Sequence, residues 1–364
     1  MTNIILLPKR LSSLNLFFWS TLWLMLVVTV GTIEQKEIGL FQSQERYFSS
    51  LFFKFRGFPL PSGGLVLIFM FLGLMSQLLF KTNYKNSNKI GITITHIGAL
   101  LLLLGAFVTK FFAIEGSMII PEGASLSYIQ DYKNFDFILY DKTNQNTFFK
   151  INTEKINLNQ GYPLNKGIQI VFTQNFLNCE LNQRQTPLSN TVGFASLFDF
   201  KERSSTEENI KCIQFKIIND RHESIYGVFQ DMPKKQSVII NDLHYIAEIQ
   251  HKHIELPFSV KLLNFEKKFH QDTLISKSFK SEVLIIDGDM QSRHIIEMNS
   301  PLRYKGYTFY QSSFSENANG EITELAVVKN IGQIFPYLAS LVICFGLLIH
   351  LLINSKKLFK SELL

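Results

Sequence analysis

His96 and His350 are the residues of this chain with the clearest chemical potential, because each imidazole sits inside an otherwise apolar run of membrane length. Nothing else in the four such runs titrates near neutral pH, and an ionisable side chain at bilayer depth is costly enough to mark a functional site by default. Paired neutral imidazoles from packed helices can serve as axial ligands to a haem iron, given an apolar slot for the macrocycle. A proton relay would also use histidine, but with carboxylates in the same spans, and these runs carry none. The plainer alternative for either residue is an interfacial histidine bonded to a neighbouring backbone group or hydroxyl such as Thr93 or Thr95. Helical rise puts His96 about 9 Å from the Ile90 end of its run and His350 about 6 Å from the Asn354 end of its own. If those ends face one side, the two rings share a depth.

The elements that must position them are legible as hydropathy. Leu14 to Thr32, Gly64 to Phe80, Ile90 to Phe112 and Ile331 to Ile353 each approach the roughly 20 residues needed to cross a bilayer core. The expected architecture is a membrane protein with four transmembrane α-helices and a large, mainly β extracytoplasmic domain between helices 3 and 4. In residue numbers this is a cytoplasmic N-terminus (1–13), spans 14–32, 64–80, 90–112 and 331–353, an outer loop 33–63, a cytoplasmic loop 81–89, the β domain 113–330 and a cytoplasmic C-terminus 354–364. The first run follows Lys9 and Arg10 as a signal segment would, yet it exceeds about 15 residues and lacks a small-x-small cleavage site, so it reads as an uncleaved anchor.

Charge placement orients the spans. Lys9, Arg10, Lys81, Lys85, Lys89, Lys356, Lys357 and Lys360 gather on one side, opposed there only by Glu362, whereas 33–63 carries mixed signs. Both termini are therefore expected to be cytoplasmic. The formal net charge of +6 reflects this topology. Nucleic-acid binding would need a basic patch on the soluble part, and none stands out.

The insert alternates β-rich runs with polar turns: Phe135 to Asp141, Gly167 to Gln174, Ile210 to Ile218, Glu223 to Gln230, Gln236 to Ile249 and Pro257 to Phe265. Ser281 to Asn299 reads as a hairpin turning near Asp287, Gly288 and Asp289. An antiparallel sandwich or open barrel follows, in one or two lobes, with the polar stretch Leu181 to Asn209 as a loop or seam between lobes. Tyr304, Tyr307, Phe309 and Tyr310, after a turn at Asn299, Ser300 and Pro301, read first as sheet core, ahead of any ligand contact.

Small residues recur every seven positions near the histidines. Gly98 and Gly105, with Ala99 and Ala106, and with Thr95 and Thr109 extending the pattern, face an expected partner run at Gly332, Ala339 and Gly346. Cys179 and Cys212 lie in the insert, as a structural disulfide or two free thiols, and Cys344 reads as a small apolar filler. His222, His244, His251, His253, His270 and His294 are scattered. His251 and His253 share a strand face, but spacing reveals no further ligands, so these six read as surface residues.

Several blocks resemble a known family. Pro257 to His270, Lys277 to Asp289 and above all EMNSPLRYKGYTFYQSSFS (Glu297 to Ser315), followed by a last apolar run, closely resemble the ResB family, also called CcsB, of the system II cytochrome c maturation machinery. Phe58 to Leu74, Gly91 to Gly123 and the four-span plan extend the resemblance over nearly the whole chain, except Thr186 to Asn209. The resemblance implies a subunit that pairs with a CcsA-type haem-handling membrane protein, helps carry b-type haem across the membrane, and helps join it to the CxxCH cysteines of apocytochrome c. It also implies that His96 is an axial ligand to haem iron, with the opposite ligand from the partner. His350 becomes the lesser candidate for an intramolecular pair. Trp19 and Trp23 are the only tryptophans, so the partner's tryptophan-rich outer motif is absent, and a separate subunit is expected.

On this reading the chain is a non-catalytic or co-catalytic subunit of a holocytochrome c synthase, in a bacterial inner membrane or a thylakoid. The alternative is a membrane-anchored scaffold or chaperone for apocytochrome and CcsA without haem ligation of its own. A sensor or unrelated transporter would need a signalling domain or a polar path through the spans. A soluble-type enzyme is disfavoured because phosphate-binding loops, nucleophile triads and nucleotide fingerprints are missing.

Overall fold

Among the described residues, four helices are long and apolar enough to cross a membrane, spanning Leu14–Leu40, Gly63–Phe80, Ile90–Phe112 and Ile331–Ser355. The computed structural model describes residues 11–81, 89–165, 167–186, 188–204, 209–219, 223–241, 243–269, 276–317 and 320–361. The chain divides into two compact units, one of residues 1–113 with 330–364 and the other Ile114–Lys329.

The helical unit holds α1 (Leu14–Gln44), α2 (Gly63–Ser76), α3 (Ile90–Phe112) and α4 (Phe335–Ser361). Helix α1 does not stop at Thr32 as expected. Glu34, Gln35, Lys36 and Glu37 are good helix formers, so the helix runs past its apolar segment until Gly39 breaks it with φ 81°. The expected loop 33–63 is largely ordered structure. A hairpin, Phe52–Phe55 with Phe58–Pro61, packs with Tyr47 and Val27 in a small core, and Trp23 Nε1 donates to the Pro61 carbonyl at 2.9 Å. At the last run, Ile331–Ile334 form a separate tight turn capped by Asn330 on the Gly332 amide, and α4 begins only at Phe335. Pro336 suits a first helical turn, where its missing N–H has no partner to lose.

Helices α3 and α4 pack antiparallel along the small-residue face. A Cβ on Gly98 would lie 2.9 Å from the Ile343 amide nitrogen and 3.0 Å from the Ala339 carbonyl oxygen. One on Gly346 would lie 2.6 Å from the Thr95 nitrogen, and one on Gly91 would meet the His350 backbone. The seven-residue spacing thus predicts the seam, with one refinement. Gly91 belongs to it, while Ala106 is exposed and Ala99 turns to another space.

The second unit is β throughout apart from short helical turns. In chain order its principal strands are β1 (Ile114–Pro121), β2 (Ser125–Asp141), β3 (Ile168–Phe176), β4 (Cys212–Ile218), β5 (Glu223–Phe229), β6 (Leu243–Phe269), β7 (Ser276–Asp287), β8 (Met290–Glu297), β9 (Leu302–Tyr304), β10 (Tyr307–Asn317) and β11 (Gly320–Lys329). An antiparallel sheet runs β8-β7-β6-β2-β1-β11-β10-β9, with Gln236–Ile240 added to β6 and Thr147–Asn152 to β2. A second sheet orders Gly161–Asn165, β3, β4, β5 and the short Thr191–Val192. The run Gln236 to Ile249, expected as one strand, is two, turned at Asn241 in the left-handed region (φ 49°). The 287–289 hairpin is as expected, with Gly288 at φ 58°.

Two large apolar cores fill this unit as two lobes, and a small third one sits at Cys179, Phe200 and Cys212; Leu181 to Asn209, expected as a loop or a seam, adjoins this small core and not the junction of the lobes. Phe137, Phe172 and Phe215 centre one core, and Met118, Phe258 and Phe309 the other. Strands β2 and β6 run through both. Pairing between them breaks near the middle, where His251 faces Phe135 but His253 already faces Gln130, so Asp131–Asn134 bulge from the ladder with β6 while Asp131 stays paired with Gly116 of β1. The Asp131 carboxylate accepts from the Lys133 and Asn134 amides at 2.8 and 3.1 Å and holds that excursion. The polar middle is instead partly a strand pair, Cys179–Gln183 with Phe198–Glu202, beside a Cys179–Cys212 disulfide of Cα separation 6.0 Å.

Candidate functional site: a histidine-lined cavity among the helices

Helices α1, α2 and α3 leave between them a cavity of about 550 Å³, within the roughly 300–1,000 Å³ of small-molecule and cofactor pockets. Its body is apolar, with Phe17 of α1, Phe69 and Met70 of α2, and Leu102 and Leu103 of α3. His96 and Ala99 of α3 also line it. One end is polar: Ser12 and Ser13 precede α1, and Gln77 follows α2. The Leu11 carbonyl closes on Gly73, where an added Cβ would lie 2.9 Å from its oxygen. His96 makes no hydrogen bond among the described residues, so both ring nitrogens are available for donation or ligation.

His350 occupies a different place. Its backbone lies against Gly91 in the α3–α4 seam, while Thr95 meets Gly346. An antiparallel register pairing 91 with 350 and 95 with 346 leaves His96 about five residues, or about 7.5 Å of helical rise, from the level of His350. The expected common depth is therefore not found. About 140° of helical rotation separates His96 from Gly91, which turns the ring away from the seam. His350 does not line the His96 cavity. Its Nε2 is 3.0 Å from Asn354 Nδ2, one turn along its own helix, and its Nδ1 is buried without a partner among the described residues. The structure does not bring these two imidazoles to one site.

In the β unit, Cys179 and Cys212 are joined, and Cys344 is exposed on α4. The aromatic block is core: the Phe258 ring meets Tyr304, Tyr307 and Phe309 at centroid distances of 4.9, 5.9 and 6.1 Å. Tyr310 alone of the four is exposed. Tyr304 donates to Asp287 at 2.7 Å, and Lys305 pairs with the same carboxylate at 2.5 Å, which hold its pKa below the usual range. His222 and His270 lie outside the described residues. His251 and His253 are not surface residues. Both are half-buried and line a cleft of about 420 Å³ at the break between β2 and β6. Burial, with Lys150 next in effect, lowers the His253 pKa. Among the described residues no three His, Cys, Asp or Glu side chains gather as a metal site.

Sequence reasoning did not find the cavity's other walls. Ser12, Ser13 and Gln77 have no pattern that distinguishes them from helix ends, and Gly73 looks like any glycine in an apolar run. The histidine alone gave a signal.

A helical unit of membrane-length helices holding a histidine-lined apolar cavity, with a two-lobed β unit inserted before its last helix, defines a helix-anchored β protein. Residues 235–323, from the edge strand beside β6 into β11, match the ResB-like family. The chain is 27% identical over 264 residues to Protein NrfI of Wolinella succinogenes, covering 71% of this chain and 27% of that protein. It is 32% identical over 97 residues to cytochrome c biogenesis protein Ccs1 of Porphyra purpurea, covering 25% of this chain and 22% of that one. The chain thus spans about a quarter of the length of these relatives. The chain is thus similar to ResB-like proteins of cytochrome c biogenesis, as its sequence blocks led one to expect.

Proposed function

We propose that this chain is a multi-pass membrane subunit of cytochrome c biogenesis that holds haem through His96 while the haem is carried toward apocytochrome c. The observation that carries the reading is the His96 ring, without a hydrogen bond among the described residues, in the wall of an apolar cavity of about 550 Å³. Haem is the substrate here, and its iron takes nitrogen ligands along the axis of the macrocycle. The residues present suit it: His96 offers one neutral donor, Phe17, Phe69, Met70 and Leu103 offer apolar walls, and Ser12, Ser13 and Gln77 put polar groups at the end where carboxylates would be least costly. One imidazole leaves the opposite axial position to another chain. A CcsA-type membrane protein is the partner we assign to it, as part of a holocytochrome c synthase.

Both termini are assigned to the cytoplasmic or stromal side by the positive-inside rule, with the β unit periplasmic or lumenal. The chain's work there is to bind and orient, and the covalent attachment belongs to the complex with apocytochrome c.

The test is co-purification with the partner from a haem-replete membrane, read by visible spectra and pyridine haemochrome assay. His96→Ala is expected to lose most of the bound haem and to regain its absorption when imidazole is added, whereas His350→Ala keeps it. Unchanged haem content in His96→Ala would overturn the ligand role and leave a scaffold for apocytochrome and partner. Loss only in His350→Ala would move the ligand to α4.

A further inference from the structure

The connection from α1 to α2 folds into a hairpin whose exposed side chains do not suit water. Arg56 and Gly57 lie in the left-handed region at φ 48° and 87°, as a two-residue turn between twisted strands requires. Phe52–Phe55 pairs with Phe58–Pro61, with Phe55 directly opposite Phe58 and Phe53 opposite Leu60. Phe53 is buried with Tyr47 and Val27, but Phe55 and Phe58, further along that same face, are 48% and 73% exposed. On the other face Phe52 is 58% exposed, beside exposed Lys54. A hairpin that rests one face on protein and gives the other to water alternates apolar with polar residues. This one shows phenylalanine on both faces.

Its edges are also adapted. From the turn outwards, cross-strand pairs alternate between bonded and non-bonded, so 54 with 59 and 52 with 61 are pairs whose N–H and C=O groups point away from the partner strand. Positions 59 and 61 are both proline, which has no N–H to leave unpaired. The outward carbonyl of Pro61 accepts from Trp23 Nε1 at 2.9 Å, and that of Lys54 accepts from Arg46 Nη2 at 2.9 Å. Edge groups removed or capped in this way make a strand edge tolerable where water is scarce.

The neighbouring helices supply the surroundings. Helix α2 starts at Gly63, where an added Cβ would lie 3.5 Å from Leu24 Cδ1, so α2 reaches only that level of α1. The apolar run of α1 continues from Leu24 to Thr32, about 12 Å of rise. Along it Met25, Leu26, Val28 and Val30 are exposed and need an apolar medium. The hairpin base sits on Val27, at the height of those side chains, and fills the space above the shorter span. Lys54 and Arg56, neither of them paired with a carboxylate among the described residues, add cations beside the aromatic rings, a combination that matches a phosphate-bearing lipid surface.

We propose that the hairpin Phe52–Pro61 is seated in the lipid interface on the side where α2 begins, with Phe55 and Phe58 among the acyl chains and Lys54 and Arg56 at the phosphates. This rests on the reading of α1 and α2 as membrane spans and not on any role in handling haem.

The experiment reconstitutes the full-length chain, with Cys344→Ser removing the free thiol and the disulfide kept, into vesicles of phosphatidylcholine and phosphatidylglycerol. Spin labels are attached singly at Phe55→Cys and Phe58→Cys in the hairpin, at Met25→Cys on α1 and at Asp289→Cys in the turn between β7 and β8. Collision rates with oxygen, which concentrates in lipid, and with a water-soluble nickel chelate report the surroundings of each label. The expected oxygen-to-nickel ratio at both hairpin sites is several-fold above that at Asp289→Cys and approaches that at Met25→Cys. A hairpin ratio equal to that at Asp289→Cys, with Met25→Cys in lipid, would overturn the proposal and leave the hairpin in water. Hairpin labels that meet neither reagent would overturn it in favour of a protein neighbour. A Met25→Cys label open to nickel would overturn the reading of α1 as a span, a failure distinct from the first. Circular dichroism against the Cys344→Ser parent checks each fold, and Phe52→Cys replaces either hairpin variant that does not pass.

Discussion

At the scale of single residues, what separates one histidine from another is the second atom of the ring. His251 Nδ1 is committed to a backbone carbonyl, His350 Nε2 to Asn354, and His96 to nothing among the described residues. None of these differences is written in residue type. The same holds for Asp287, whose carboxyl is held low by hydrogen bonds from Lys305 and then Tyr304. A carboxylate with a folded pKa below its unfolded value, about 3.9, contributes stability that is fully present above that value and is lost as pH falls through the folded one. Asp287→Asn should therefore lower the thermal midpoint of the chain at pH 7, and the gap from wild type should narrow steadily below about pH 4. Thermal melts across that range check this, and a gap independent of pH would sink it.

At the scale of elements, close helix approach and a cross-link are the features that can be broken one at a time. Gly98→Ala sets a methyl 2.9 Å from a backbone nitrogen of α4 and 3.0 Å from a carbonyl, so the helices must part. Overpacking of this kind costs about 1–3 kcal/mol, expected as a lower denaturation midpoint in detergent. The neighbouring Ala99→Gly, off that seam, should leave helix pairing intact and serves as the comparison. In the β unit, the Cys179–Cys212 disulfide closes 33 residues of sequence. The loop-entropy relation puts its contribution at about 3–4 kcal/mol. The Cys179→Ala, Cys212→Ala double variant should unfold at lower urea and lose the sensitivity to reductant that wild type shows. A midpoint unchanged in both respects would mean that the link is dispensable.

At the scale of the molecule, the division at residues 113/114 and 329/330 gives each part its own apolar contacts. A domain with its own core can fold alone. Residues 114–329, exported to an oxidising compartment, should give a β-type circular dichroism spectrum and one or two cooperative urea transitions, matching its two large cores. A fragment without cooperative unfolding would show that the helical unit is needed to complete it.

Legibility followed the range of the interaction concerned. The apolar spans, the strands of the insert, the Asp287–Asp289 turn and the small-residue face were readable because hydropathy, β-branching, turn chemistry and heptad spacing act over a few residues. The end of α1 was missed because helix-forming Glu34–Glu37 continue a helix that hydropathy alone would stop. The polar stretch Leu181 to Asn209 reads as a loop or a seam, yet the lobes meet where two long strands lose register. Strand alternation put His251 and His253 on one face but could not reveal the Gln230 and Asp131 groups that come from elsewhere in the chain.

The sequence by itself determined the four apolar spans, the β character of the insert and the family resemblance, since each depends on local pattern or on contiguous blocks. Only the tertiary structure decided which imidazole meets a cavity, which meets a helix seam, and which pair meets at the break between β2 and β6. Helix rotation and strand register set those outcomes through contacts between residues far apart in the chain, and such contacts leave no periodic trace in the residues themselves.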